Sequence, residues 1–189
     1  DHMVIQRDIP VPVWGWTEPG RKVTVSLADN SVQGKAGTDG AWRVNLPAVP
    51  AGGPHELLVK AGREKMLIKD VLAGEVWVCS GQSNMEWPLN LSRDATAEIA
   101  ASDLPGIRLF TVPKTPAMKP QAETVGSWCL CSPATAGAFS AIGFFFGREL
   151  HRQLNLPVGL INCSWGGTVA EAWTSRASLQ AEPELKHFV

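Results

Sequence analysis

A serine in a glycine-containing turn is the residue best placed to do chemistry in this sequence. Ser83 belongs to the tetrapeptide Gly-Gln-Ser-Asn at positions 81–84, directly after an apolar run at positions 76–80. The glycine permits a tight bend, so the hydroxyl can stand at the carboxyl end of a strand beside backbone N–H groups. Such a serine attacks a carbonyl carbon when a histidine base is near and N–H donors stabilise the oxyanion. The alternative is that Ser83 merely caps the following helix.

A pair of adjacent glycines, Gly166 and Gly167, forms the second candidate site. They lie in the run Ser-Trp-Gly-Gly-Thr at positions 164–168, immediately after an apolar run at positions 158–163. Adjacent glycines let the backbone approach a bound group closely, with N–H groups pointing outward. A strand-to-helix connection alone could also require a glycine, so this loop by itself leaves both interpretations open. Because parallel strands end at the same sheet edge, the two loops together predict an active site there.

The elements that must position both loops lie after residue 70, where strands and helices alternate. The third predicted strand is almost continuously apolar, which is typical of a strand covered on both faces. Strand–helix alternation of this kind predicts βαβ units and a parallel sheet. The predicted strands cover positions 75–80, 107–112 and 158–163, and the predicted helices cover positions 92–101, 139–154 and 170–186.

The first part of the chain has almost no helical signal. Between positions 22 and 27 apolar residues alternate with polar ones, the period of a half-buried strand. Short runs of this kind, separated by turn-forming residues, predict a small antiparallel β-sandwich. We therefore predict an α/β protein with two domains, residues 1–70 and 71–189. The short runs cover positions 10–16, 22–27, 41–46, 56–59 and 65–68.

The composition argues against several classes of partner. The 189 residues include 17 basic and 18 acidic ones, for a net charge of −1, and no basic stripe indicates a nucleic-acid surface. The longest strongly apolar stretch, positions 138–147, is too short to span a bilayer, so we expect no membrane partner. Four cysteines match no C-x-x-C zinc pattern, and their number does not demand disulfides.

The two loops also carry a family resemblance. The first block reads Val-Trp-Val-Cys-Ser-Gly-Gln-Ser-Asn-Met-Glu-Trp, and the second reads Ser-Trp-Gly-Gly-Thr-Val-Ala-Glu-Ala-Trp. Both resemble signature blocks of the sialate O-acetylesterase family within the SGNH hydrolases. The resemblance covers essentially the whole chain, including segments similar to the β-domain that precedes the esterase domain in many members. The segments that carry it are positions 3–7, 12–16, 76–87, 145–150, 157–162 and 164–173.

This resemblance implies a mechanism and a fold. Ser83 would attack an acetyl carbonyl and become acetylated, and the N–H groups of Ser83 and of Gly166 or Gly167 would form part of the oxyanion hole. The implied fold is an incomplete flavodoxin-like SGNH-hydrolase parallel sheet, preceded by the β-sandwich. The implied substrates are O-acetylated sugars, either sialic acids or polysaccharides such as xylan, with no metal or organic cofactor. A secreted, periplasmic or lysosomal location is implied as well.

The catalytic histidine and aspartate are where the sequence departs from the family. The family takes them from a D-x-x-H motif near the carboxyl end of the hydrolase domain, and this sequence reaches Val189 without that motif. Two histidines of this sequence are poor candidates for the base. His151 falls on the polar side of a predicted helix, and His187, three residues after Glu184, follows the glycine loop too closely in sequence to match the family's histidine. We therefore expect a second chain or a further carboxyl-terminal segment to supply Asp and His. The 189-residue chain alone should be a poor esterase.

Two other classes of function stay open at this point. A carbohydrate-binding protein could keep the fold and the tryptophans while lacking the base. A partner-binding fragment could instead pair an exposed sheet edge with another chain, since a bare edge is otherwise prone to aggregation.

Overall fold

Within residues 1–117 and 119–188, the computed structural model of the protein contains ten β-strands and four α-helices. The strands are β1 (Val4–Gln6), β2 (Val11–Trp16), β3 (Lys22–Leu27), β4 (Asn30–Lys35), β5 (Ala41–Leu46), β6 (Gly52–Ala61), β7 (Glu64–Gly81), β8 (Leu104–Thr111), β9 (Cys129–Cys131) and β10 (Val158–Ser164). The α-helices are α1 (Ser83–Glu86), α2 (Ala95–Ala100), α3 (Ala141–Leu154) and α4 (Arg176–Ala181). Short 3-10 helices cover Leu89–Leu91, Ala136–Ala138, Ala170–Trp173 and Pro183–Phe188. Residue 189, the end of the predicted second domain, lies outside the described residues.

One large sheet changes from antiparallel to parallel along β7. Its strand order is β4-β3-β6-β7-β10-β8-β9, and β1 pairs in parallel with the middle of β7. The pairs on the β4 side of β7 are antiparallel, whereas β7, β10 and β8 pair in parallel. The predicted α/β class is therefore confirmed at the level of a mixed fold that combines antiparallel and parallel strands.

Two hydrophobic cores lie along the two halves of β7. The first combines the antiparallel strands of the large sheet with a separate two-stranded sheet of β2 and β5, and its buried residues include Val25, Leu46 and Val71. The second lies between the parallel strands and α3, and its buried residues include Phe144 and Leu160. The predicted boundary after residue 70 falls inside β7, and the division into two domains stays a prediction.

The strand β7 is longer than the sequence indicated. Two separate strands were expected at positions 65–68 and 75–80, but β7 is one strand of 18 residues. It continues through the intervening segment because its partner changes there: Ala73 still faces β6, while Leu72 already faces β1. Continuous pairing therefore bridges a segment whose own residues carry a weak strand signal.

The helices are shorter than predicted. The helix expected at positions 170–186 is divided, because Ser175 caps a new helix by accepting the Ser178 N–H at 3.1 Å and Pro183 lacks the N–H that would continue it. The helix expected at positions 92–101 begins only after Asp94, whose φ of +57° is left-handed. In the part of the chain that the structure describes, no helix has the length and apolar character needed to cross a membrane.

An ion pair between buried Arg108 and partly exposed Asp70 joins β7 to β8. The buried Arg108 guanidinium donates to both carboxylate oxygens of Asp70, at 2.5 and 3.1 Å. Asp70 has a φ of +55°, and its carboxylate also lies 2.6 Å from Nδ1 of His2. The hydrogen bonds from Arg108 hold the pKa of Asp70 below its ordinary value, although partial burial opposes this.

We expect Asp70→Asn to destabilise the protein by about 2 kcal/mol at pH 7, because a charge-assisted hydrogen bond to buried Arg108 is lost. Asparagine tolerates the left-handed backbone, so the change isolates the charge. The folded-state pKa is depressed, so the carboxylate stabilises the fold above its unfolded pKa of about 4, and this contribution disappears as the pH falls through the folded value. Urea unfolding should show the gap closing below about pH 4. A gap that stays constant down to pH 3 would contradict this assignment.

Candidate active site

Ser83 stands at the carboxyl end of β7, as the first residue of α1. The strand ends at Gly81, whose φ of +149° lies in a region that side chains disfavour. One turn of helix follows, since the Gln82 carbonyl accepts the Glu86 N–H at 2.9 Å and the Ser83 carbonyl accepts the Trp87 N–H at 3.0 Å. The capping residue of α1 is Gln82, so Ser83 is not used as the helix cap. Its hydroxyl is exposed beside the sheet edge.

The register of β10 brings the glycine loop beside Ser83. Ser164, the last residue of β10, lies opposite Gly81. A side-chain carbon built on Gly166 would lie 3.4 Å from Ser83 Oγ, whereas one built on Gly167 would meet no atom within 4 Å. Gly167 has a φ of +78°, which glycine adopts without strain. Gly166 is therefore the glycine that contacts the serine, and Gly167 shapes the turn. The catalytic roles of all three residues stay predictions.

The carboxylate of Glu86 connects α1 to the glycine loop. It accepts hydrogen bonds from the backbone N–H of Gly166 and from the ammonium group of Lys114. The bond from Lys114, with a smaller contribution from Gly166, holds the pKa of Glu86 below its ordinary value. The N–H expected to stabilise an oxyanion is thus engaged by a carboxylate in this structure. An acyl oxygen would have to replace that carboxylate to reach it.

A pocket of about 500 Å³ opens beside Ser83 and Gly166. One wall comes from α1 and the residues that follow it, and another comes from the end of β8 and the loop after it. The end of β10 and the 3-10 helix at Ala136–Ala138 complete the lining. The pocket is therefore bounded by the carboxyl ends of three neighbouring parallel strands, where α/β proteins bind their ligands.

Two buried polar side chains line this pocket and were not predicted as site residues. Asn162 is 7% exposed and Ser164 is 8% exposed. The Ser164 hydroxyl donates to Oδ1 of Asn162 at 2.6 Å, which leaves the amide nitrogen as the group able to bind a ligand. The signal in the sequence was the presence of two polar residues at alternate positions of an otherwise apolar strand.

None of the four histidines, all of which the structure describes, lines the pocket. His151 Nδ1 lies 2.6 Å from the Leu156 carbonyl oxygen, and its ring packs against Gly106 near the opposite end of the parallel strands. His187 lies in the 3-10 helix Pro183–Phe188, with its ring against Phe188. The described part of the chain therefore brings the Ser83 hydroxyl and the Gly166 backbone together without a histidine in the same pocket.

Among the residues that the structure describes, no group of three or more His, Cys, Asp or Glu side chains could hold a metal ion. The four cysteines are free.

A family model described as "Carbohydrate esterase, sialic acid-specific acetylesterase" matches residues 73–183, the segment that carries both loops. The chain belongs to this carbohydrate esterase family. It is 33% identical to a sialate O-acetylesterase of Rattus norvegicus over 96% of the chain, and 35% identical to one of Homo sapiens over 95% of the chain. A crystal structure of a carbohydrate acetylesterase from Xanthomonas citri shares 42% sequence identity, with a TM-score of 0.93 over 98% of the chain.

These relatives are considerably longer than the chain. It spans 37% of the rat protein, 38% of the human protein and 43% of the Xanthomonas chain. The matching family model and these relatives confirm the family resemblance that was predicted from the two loops.

The Gly166 amide should report the charge on Glu86. Following its chemical shift against pH by NMR should give a carboxyl pKa below the ordinary value of about 4.3. Lys114→Met should raise that pKa, because the bond from Lys114 is the largest cause of the depression. Lys119→Met, in the same loop, serves as the matched control and should leave the titration unchanged. An identical Glu86 pKa in the Lys114 variant and the parent would disprove the proposed link.

Proposed function

We propose that this protein carries the nucleophile of a carbohydrate O-acetylesterase, and that Ser83 removes acetyl groups from sugars. The observation that carries the proposal is the approach of the Gly166 backbone to the Ser83 hydroxyl at the edge of a pocket. The relatives named sialate O-acetylesterase and carbohydrate acetylesterase support the acetyl ester as the bond that is broken. They leave open whether the sugar is a sialic acid or a polysaccharide unit.

In the proposed reaction, Ser83 Oγ attacks the acetyl carbonyl carbon while a base takes the hydroxyl proton. The N–H groups of Ser83 and Gly166 donate to the oxyanion, and each such donor lowers the barrier by about 3 kcal/mol. Collapse of the intermediate expels the sugar alcohol, which takes the proton from the base. Water then hydrolyses the acetyl-serine in the same way and releases acetate.

Glu86 must leave the Gly166 N–H before that donor can serve the oxyanion. A carboxylate at this position would repel the developing negative charge. Lys114 already binds the second oxygen of the carboxylate, so it can hold the displaced side chain away from Gly166. Lys114 therefore stabilises the open form of the oxyanion site in this proposal.

We further propose that the Asp and His come from a further segment or a second chain. Beyond Gly74, β7 is paired only along the edge that faces β10, within the described residues. Val78 on this part of β7 is 63% exposed, which is unusual for a strand of a parallel sheet. An additional strand on the opposite, unpaired edge of this part of β7 would shield Val78 and could carry a base to Ser83.

The finer description of the fold belongs to the same proposal. A flavodoxin-like SGNH-hydrolase sheet is supported by the parallel pair of β7 and β10, with Ser83 and Gly166 following their carboxyl ends. An additional strand beside β7 would leave β7 inside the sheet. The expected secreted, periplasmic or lysosomal location stays a prediction.

Exposure to p-nitrophenyl acetate tests the proposal directly. We expect slow acetylation of Ser83, detected by peptide mass spectrometry, with little turnover because the described residues place no histidine base in the pocket to help release the acetyl group. Ser83→Ala should abolish the adduct, whereas Ser80→Ala, which alters an exposed serine near the end of β7, should retain it. Absence of the adduct at Ser83 would refute the nucleophile assignment and favour a non-catalytic sugar-binding protein. Rapid Ser83-dependent turnover would show that no further segment is needed.

The two glycines should respond differently to alanine. In Gly166→Ala the new methyl group would lie 2.7 Å from Glu86 Oε2 and 3.4 Å from Ser83 Oγ, so we expect acetylation to slow at least tenfold. Gly167→Ala forces alanine into a left-handed conformation, which costs about 1 kcal/mol of stability but places no atom near Ser83. Urea unfolding and the acetylation rate separate the two effects. If Gly167→Ala lost more of the acetylation rate than Gly166→Ala, the assignment of the oxyanion donor to Gly166 would be wrong.

A further inference from the structure

Trp87 is one of the residues that line the pocket beside Ser83. Trp87 is 53% exposed, and of the eight tryptophans it is the one that lines this pocket. Its backbone N–H donates to the Ser83 carbonyl at 3.0 Å, one helical turn after the serine. The ring and the hydroxyl are therefore carried by the same rigid turn.

The ring of Trp87 is fixed in place before any ligand arrives. Its Nε1–H donates to the Leu91 carbonyl at 3.1 Å, and its backbone carbonyl accepts the Ala141 N–H at 2.8 Å. The indole has only this one polar group, so its hydrogen-bonding capacity is used within the protein and its apolar surface is left for a ligand. A ring that is already ordered loses little entropy on binding.

Aromatic packing does not account for the position of Trp87 as it does for Trp77 and Trp128. Trp77 packs edge-to-face on Phe146, with ring centroids 5.1 Å apart, and Trp128 packs on Phe110 at 5.5 Å. Trp87 has no aromatic partner among the described residues. A large apolar surface left open beside a nucleophile indicates contact with a ligand.

The rest of the pocket complements an aromatic platform with neutral polar groups. Asn162 offers its amide nitrogen, and Thr111 contributes a further polar residue to the lining. The two charged side chains of the lining, Glu86 and Lys114, form a hydrogen-bonded ion pair with each other. A pyranose has an apolar face of C–H groups and a rim of hydroxyls, so it matches one aromatic face and a few uncharged hydrogen-bonding groups.

We propose that Trp87 stacks against the pyranose ring of a neutral O-acetylated sugar whose acetyl group reaches Ser83, an assignment that rests on the proposed function. Trp87 is then the residue that selects a sugar ring among acetyl esters. The Asn162 amide nitrogen donates to a hydroxyl or to another oxygen substituent at the rim of the sugar ring. The hydrogen bond from the Ser164 hydroxyl holds the Asn162 amide in its orientation.

Binding measurements on Ser83→Ala protein test this subsite without turnover. The probe is a methyl O-acetyl-β-xylopyranoside, whose dissociation constant is measured by ligand-observed NMR. Adding Trp87→Ala should raise the dissociation constant about tenfold, and Trp87→Phe, which keeps an aromatic face, should fall between. Trp14→Ala is the matched control, because Trp14 is equally exposed at 58% but lies on β2, outside the pocket. It should change the constant less than twofold.

Three outcomes would overturn the subsite: no binding of the xyloside, equal binding by the parent and both Trp87 variants, or tighter binding of an O-acetylated sialic acid than of the xyloside. A separate reaction distinguishes the subsite from the proposed function. Protein with Ser83 and Trp87 intact is exposed to vinyl acetate, which has no ring to stack on Trp87, and acetylation of Ser83 is measured. Acetylation without any effect of Trp87 on sugar binding defeats only the subsite. Sugar binding that depends on Trp87 without acetylation defeats only the esterase.

Discussion

The 18-residue strand β7 is the element on which the rest of the structure depends. It pairs with β6 in the antiparallel half and with β10 in the parallel half, so both hydrophobic cores are built on it. Between them lies Gly74, where a side-chain carbon would approach the Pro157 carbonyl oxygen to 2.0 Å. The position of Ser83 at the end of this strand is therefore set by packing in both halves.

One short helical turn after β7 combines three tasks. Ser83 supplies a hydroxyl, Glu86 engages the glycine loop, and Trp87 presents an aromatic ring to the pocket. Such concentration has a physical basis, because residues within one turn keep nearly fixed mutual distances. The glycine loop then needs only the register of β10 to meet them, and seven consecutive residue pairs between β10 and β7 provide that register.

The sequence predicted what depends on local patterns and missed what depends on distant partners. Ser83 and the glycine pair were identifiable because each follows an apolar run at a turn. Glu86 was missed as a site residue because its partner Lys114 lies 28 positions away in a loop without a regular pattern. The strand β4 was missed as well, since Asn30 was assigned to a turn; the hairpin turns one step earlier, with Ala28 at a φ of +50°.

The burial of Asn162 also bears on glycosylation. Residues 162–164 match the Asn-x-Ser acceptor sequence, as do residues 90–92. Asn90 is exposed, whereas the Asn162 amide is buried in β10 and accepts a hydrogen bond from the serine of its own acceptor sequence. In a host that modifies such sites, a glycan at Asn162 would prevent β10 from entering the sheet and would fill the pocket. Of the two acceptor sequences, the one at Asn90 is therefore the one whose asparagine is exposed in the folded protein.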